Sequence, residues 1–238
     1  MRRVLVPSLR VGSVELPAEQ SHHLARVLRL EAGEEIEAFD ENGAVGSAKI
    51  SAINGKSVVL EIESVRQPPA DRPELTIAAA IPKGPRADWM VEKLSELGVD
   101  RFIPLATERG VVVPEGKQKP ARWRRLAEES AEQSQRLGIM QIEPGKVIDE
   151  LFQRTGNQDL VIWQLSLREE ATPIWRMVAK LPKRLMILIG PEGGWTDTED
   201  ACCRAAGAIA VSVTATTLRI ETAAVAAAAI VQSARGSS

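Results

Sequence analysis

Three prolines in six residues, Pro68-Pro69-Ala70-Asp71-Arg72-Pro73, interrupt this chain of 238 residues. Proline fixes φ and removes an amide donor, so such a run fits neither a helix interior nor a central strand. The hydrophobic pattern differs on its two sides. Before it, Asn42-Gly43 and Asn54-Gly55 are hairpin-turn signals, and Ser57–Ile62 after the second turn is a β-rich run. A single helix is predicted over Ala18–Arg29, with Leu24, Val27 and Leu28 on one stripe. After the prolines, short apolar runs alternate with helical segments. Strands are predicted over Leu75–Ile81, Arg101–Leu105, Leu160–Trp163, Leu185–Ile189 and Ala210–Val213. Helices are predicted over Asp88–Leu97, Ala121–Leu137, Trp195–Ala206 and Ala223–Ala234. This reads as a small β-barrel domain over 1–68, a linker over 69–74 and an α/β domain with a mostly parallel sheet over 75–238.

Composition narrows the function classes. The formal net charge is −2, so there is no global basic signature for nucleic acid, although five of the nine residues in Lys117–Arg125 are basic. The longest apolar run, Ala223–Val231, is too short for a bilayer, and the start MRRVLVPSLRV lacks the apolar core of a signal peptide. The adjacent cysteines Cys202 and Cys203 cannot staple distant segments or make a CxxC metal site. The expectation is a cytoplasmic protein with no membrane segment and no metal.

Two late segments carry the chemistry. In Leu185–Glu199 a buried strand runs into Gly190-Pro191-Glu192-Gly193-Gly194 and then a helix, whose start is marked by the capping-box spacing of Thr196 and Glu199. Glycines there let a ligand approach the backbone closely, at the strand end where α/β proteins bind ligands. The segment is neither GxGxxG nor GxxxxGK[ST], and no GxSxG is present. The second segment, Thr216-Thr217-Leu218-Arg219-Ile220-Glu221-Thr222-Ala223, follows the last strand, with Thr222 as the predicted N-cap of the last helix. Local chemistry alone leaves a tight turn and an Arg219–Glu221 salt bridge as open readings; two such loops at two strand ends can also form one site.

GPEGG, a helix, a strand and then LRxETA resemble the C-terminal signature of the 16S ribosomal RNA uracil-N3 methyltransferases (RsmE-like), in the SPOUT superfamily. Four further blocks resemble the same family in order: His22-His23-Leu24-x-Arg26-Val27-Leu28-Arg29, then Lys83-Gly84 with Lys93-x-x-Glu96-Leu97-Gly98-Val99, then Thr107-Glu108-Arg109, then Glu132-Gln133-Ser134-x-Arg136. The chain departs where Gly110 replaces a serine, where Val213-Thr214 and Thr216 replace a Leu-Gly and an arginine, and where no proline falls within Leu137–Gln141.

The resemblance implies an α/β fold with a C-terminal trefoil-knotted SPOUT methyltransferase domain and an N-terminal PUA-like β-barrel. It implies S-adenosylmethionine (SAM) as cofactor, small-subunit 16S rRNA or the small ribosomal subunit as partner, a homodimer, and methyl transfer to uracil N3. A ribose 2′-O methyltransferase and a non-catalytic RNA-binding module are the alternatives. The implied cofactor residues are Gln164, Leu165, Ile189, Gly190, Pro191, Glu192, Gly193, Gly194, Val213, Thr214, Thr217, Leu218, Arg219 and Thr222. Arg219, Glu221 and Glu192 are the implied catalytic residues, with Arg219 stabilising an imide anion and Glu221 orienting Arg219 or taking a proton. The implied RNA contacts are Arg2, Arg3, Arg26, Arg29, Lys83, Arg109, Arg124, Arg125, Gln133 and Arg136.

Overall fold

The computed structural model describes residues 2–54, 57–69, 72–111, 118–153 and 159–235. Gly55 of the second turn, Ala70 and Asp71 of the proline segment and Lys117 of the basic run lie outside them, as do the side chains of Gln118 and Lys119. The chain divides into two compact units, Met1–Ala70 with Ala131–Ile139, and Asp71–Ser130 with Met140–Ser238. The first unit thus takes a segment from deep in the predicted second domain.

The first unit contains β1 (Arg3–Leu5), β2 (Gly12–Glu15), α1 (Ala18–His22), β3 (Glu35–Phe39), β4 (Val45–Asn54) and β5 (Ser57–Ile62). The strands form one sheet in the order β1-β3-β4-β5-β2. Among the described residues the pairings run as an open path with β1 and β2 at its ends, not as a closed ring. Alternate residues of β3, β4 and β5, namely Ile36, Ala48, Ile50, Val58, Leu60 and Ile62, are buried in one core with Leu24. The predicted single helix is two pieces: α1 passes into a π-helical turn at His23–Val27, and Arg29 has φ of +53°. Leu24 is held inside while His22, His23, Arg26 and Arg29 stay exposed. Ala131–Ile139 is tied in by Arg3, whose guanidinium donates to the Arg136 carbonyl (2.8 Å), and by the Leu5 amide, which donates to Glu132 (3.3 Å).

The second unit carries β6 (Glu74–Ala80), α2 (Arg86–Glu96), β7 (Arg101–Ala106), α3 (Gln118–Ser134), β8 (Gln141–Ile142), β9 (Lys146–Val147), α4 (Ile148–Gln153), β10 (Leu160–Leu165), β11 (Thr172–Pro173), α5 (Ile174–Met177), β12 (Arg184–Ile189), α6 (Asp197–Ala205), β13 (Ile209–Ser212) and α7 (Ile220–Arg235); the last four residues of α3 group with the first unit. The sheet is parallel in every pair, in the order β11-β13-β10-β12-β6-β7-β8, with β9 also on β7. Its central strands are buried on both faces, which is why they read as continuous apolar runs. Helix α2 buries Met90 and Leu94, as its spacing requires, and Gly98 closes it at φ +78°. The Gln232 amide of α7 donates to the Gly98 carbonyl (2.6 Å), fixing the last helix against α2. Among the described residues, no helix is long and apolar enough to cross a membrane.

Candidate active site

Parallel strands end on the same side, so the loops after β10, β12 and β13 converge. These three strands are neighbours, with Gln164 opposite both Leu188 and Ala210. Their loops and the start of α7 line one cavity of about 350 Å³. Of the residues expected to hold a cofactor, Gln164, Leu165, Ile189, Gly190, Pro191, Glu192, Gly194, Val213, Thr214, Thr217 and Leu218 line it; Gly193, Arg219 and Thr222 do not. Trp195, Thr216, Ile220 and Ala223, from the two segments read as carrying the chemistry, also line it, as do Ser166, Leu167, Arg168 and Asp200, which were not singled out from sequence.

The glycine-rich loop is shaped by what packs on it. A Cβ on Gly190 would lie 2.8 Å from the Trp195 ring, so only glycine leaves that ring in place. Gly194 has φ of +72°, the left-handed region that favours glycine, and its amide donates to the Pro191 carbonyl (2.9 Å). Arg109 donates to the carbonyls of Gly193 (3.1 Å) and Trp195 (3.3 Å). The next residue back, Glu108, donates its amide to Glu199 (2.9 Å). Glu199 in turn completes the capping box read from sequence, accepting from the Thr196 amide (2.9 Å) while Thr196 Oγ1 accepts from the Glu199 amide (3.3 Å). The Thr107–Arg109 block therefore braces the glycine loop, and Arg109, placed in the RNA surface from sequence, has its guanidinium on that loop.

One wall of the cavity is polar and buried. Gln164 donates its amide to Asp200 Oδ1 (3.0 Å), and Asp200 Oδ2 pairs with Arg168 (2.5 Å) and with Arg204. An ionised carboxylate only accepts, so it pins the NH₂ end of Gln164. Burial pushes the Asp200 carboxyl up, but the hydrogen bonds from Arg168 and Gln164 and the two arginine charges outweigh it, holding Asp200 below the usual carboxylate range.

The second loop corrects two expectations. The Ala223 amide donates to the Arg219 carbonyl (2.8 Å) and α7 begins at Ile220, so Arg219 stands at the N-cap and Thr222 lies inside the first turn. An apolar residue, Ile220, starts the buried face three positions before the alanine run suggests. Glu221 does not orient Arg219: its buried carboxylate pairs with Arg86 (3.3 Å), 135 residues away in the chain. Arg219 and Glu192 are exposed.

The residues expected to touch RNA separate by burial. Arg2, Arg26, Arg29, Lys83, Arg124, Arg125 and Gln133 are exposed, Arg124 and Arg125 pairing with Glu128 and Glu129 one helical turn on. Arg3 and Arg136 are buried, which corrects their placement on that surface. The Arg3 side chain pairs with Glu37 (2.5 Å) and lies over the Phe39 ring at 4.4 Å. It staples the first unit together and is not available to a phosphate.

Known proteins resemble this chain over most of its length. A family model described as RNA methyltransferase domain matches residues 69–232, and one described as RNA methyltransferase PUA domain matches residues 16–63. The chain is 32% identical over 226 residues to ribosomal RNA small subunit methyltransferase E of Synechocystis, covering 93% of this chain and 74% of the relative. The Bacillus subtilis protein of the same name is 31% identical over 193 residues, covering 77% and 75%. Among solved structures, the Neisseria gonorrhoeae ribosomal RNA small subunit methyltransferase E bound to SAM matches with TM-score 0.83 and 28% identity, covering 98% of this chain and 97% of that one. A Legionella pneumophila chain in complex with SAM matches with TM-score 0.82 and 29% identity, over 98% and 97%.

Proposed function

The chain belongs to the RNA methyltransferase family, with a PUA-type domain at its N-terminal end, and from that premise we propose that it transfers a methyl group from SAM to N3 of a uridine in small-subunit ribosomal RNA. It is a SAM-dependent ribosomal RNA methyltransferase of the small subunit methyltransferase E type. The observation that carries the reading is the joining of the loops at 189–194 and 213–218 in one cavity at the strand ends.

The residues present fit SAM. Gly190 keeps the wall beside Trp195 open. Leu165, Ile189, Val213 and Leu218 offer apolar surface for a heterocycle, while Gln164, Arg168 and Glu192 offer polar and charged groups. When bound, SAM supplies an electrophilic methyl group on a sulfonium. The protein then has to orient the base and stabilise the charge that develops as N3 loses its proton. Arg219 suits the stabilising role because it is exposed at the N-cap of α7, between Leu218 and Ile220, which line the cavity. Glu192, exposed on the facing loop, is the proton acceptor in this reading. Glu221 instead positions the first turn of α7 through Arg86.

For the RNA, the exposed cations Arg2, Arg26 and Arg29 of the first unit supply phosphate contacts, and Lys83 does so from the second. A flipped or unpaired uridine is required for N3 to be reached. A trefoil-knotted path is supported by the pairing order: β13 adds beside β10, yet α7 returns to pack on α2, β6 and β12. A homodimer acting in the cytoplasm completes the proposal.

Replacing Arg219 with alanine tests it. Turnover on small-subunit RNA is expected to be abolished while SAM binding, read by calorimetry, stays within about twofold of wild type. Near-normal turnover rejects the catalytic role of Arg219.

A further inference from the structure

Among the described residues, three charged side chains line the cavity: Arg168, Glu192 and Asp200. They are not equivalent. Asp200 is buried, and its carboxylate is already engaged by Gln164, Arg168 and Arg204. Of the two guanidinium groups on this carboxylate, Arg168 lines the cavity and Arg204 does not, and the charges of Glu170 and Asp197 also act on Arg168. Arg168 gives only part of its donor set to Asp200. A guanidinium carries five N–H donors in a fixed fork, its side chain is 44% exposed, and the residue faces the cavity. Glu192 lines the cavity from a different loop and is exposed.

A ligand matching Arg168 and the apolar lining carries a carboxylate joined to an apolar ring. SAM has both: the methionine carboxylate and the adenine. We propose that Arg168, aimed by Asp200, is the specificity-determining residue for the amino-acid end of the cofactor, and that its guanidinium receives the carboxylate. The inference rests on the cofactor reading above. Asp200 acts as the positioning residue. Its two remaining partners, Gln164 and Arg204, keep it satisfied when Arg168 is removed, so loss of Arg168 leaves no buried orphan charge.

The test compares two ligands that differ only in the group in question. SAM and 5′-methylthioadenosine, which lacks the amino-acid moiety, are titrated by calorimetry into wild type, Arg168→Ala and Arg168→Lys. With Arg168→Ala, SAM affinity is expected to fall about tenfold or more, the worth of one charge-assisted hydrogen bond. Affinity for 5′-methylthioadenosine should stay within about twofold, and Arg168→Lys should recover part of the loss for SAM by charge alone. Equal losses for both ligands would mean that Arg168 only shapes the loop, and unchanged SAM affinity would mean that it does not touch the cofactor; either result overturns the inference. If Arg168→Ala does not fold, Arg168→Gln carries the same comparison. Failure of wild type to bind either ligand would instead overturn the cofactor reading, and this inference with it.

Discussion

Gly190→Ala adds one methyl group at the point where the cavity wall is tightest. The new Cβ would sit 2.8 Å from Trp195 Cε2 and 3.0 Å from its Nε1. Carbon atoms rest at roughly 3.5–4.0 Å, so about 0.7 Å or more must be found. The indole is a rigid plane that itself lines the cavity, and the residues behind it are held by the capping box and by the Arg109 bond to the Trp195 carbonyl. Overpacking of this kind costs about 1–3 kcal/mol. If about 1.4 kcal/mol of that strain is relieved by moving Trp195 into the cavity, SAM affinity drops about tenfold. Strain that this movement does not relieve, up to about 1.6 kcal/mol, lowers the melting temperature of the unliganded protein by up to about 6 °C. Calorimetry and a thermal melt read the two effects, and Gly190→Ala/Trp195→Leu closes a double-mutant cycle. The smaller side chain at 195 makes room for the methyl group, so a favourable coupling of about 1 kcal/mol is expected. Wild-type SAM affinity in Gly190→Ala, or strict additivity in the cycle, would refute the steric argument. Gly194 is a useful contrast: a Cβ there meets nothing within 4 Å, so its cost is confined to the φ of +72°, roughly 1–2 kcal/mol.

Further expectations concern the groups around the site. Arg109→Ala removes two hydrogen bonds to the glycine loop and should weaken SAM binding in the absence of RNA by about fivefold, or about 1 kcal/mol; an arginine used only for RNA phosphate would leave that affinity unchanged. The Asp200 carboxyl is held below its ordinary value, so its stabilisation is present above the unfolded pKa of about 3.9 and is lost as pH falls through the lower folded value. Acid titration of Asp200→Asn should therefore show a shallower loss of stability below about pH 4 than wild type, and parallel curves would refute the assignment. Burial pushes the Cys203 thiol up to about 12, and the hydrogen bond to Asp149 raises that of Cys202. Native protein should react slowly with a thiol reagent at pH 8 and release both thiols on unfolding, whereas a fast native equivalent would contradict the packing of α6.

Local periodicity carried most of the architecture. Strand β5 alternates because one face meets the core, and the central strands β6 and β12 run apolar because both of their faces are buried. Thr196 and Glu199 announced the start of α6 through side-chain chemistry that needs no tertiary partner. What local reading missed depends on distant partners. The pairing of Glu221 with Arg86 spans 135 residues and leaves no spacing signal. Arg168 meets Asp200 only because α6 starts at the cavity where β10 ends. Arg3 resembled a phosphate contact because a terminal arginine is normally exposed; Glu37 and Phe39, which bury it, come from a strand that pairs with its own. The π-helical turn at His23–Val27 has the composition of an ordinary helix, so nothing in its periodicity distinguishes it.

The most direct measurement is to incubate the purified protein with small ribosomal subunits and SAM labelled in its methyl group, then digest the RNA to nucleosides and identify the labelled product by mass spectrometry. A single labelled N3-methyluridine, absent with Arg219→Ala, is the predicted result. Label on a ribose 2′-oxygen, or no transfer by a protein that binds SAM, would contradict it.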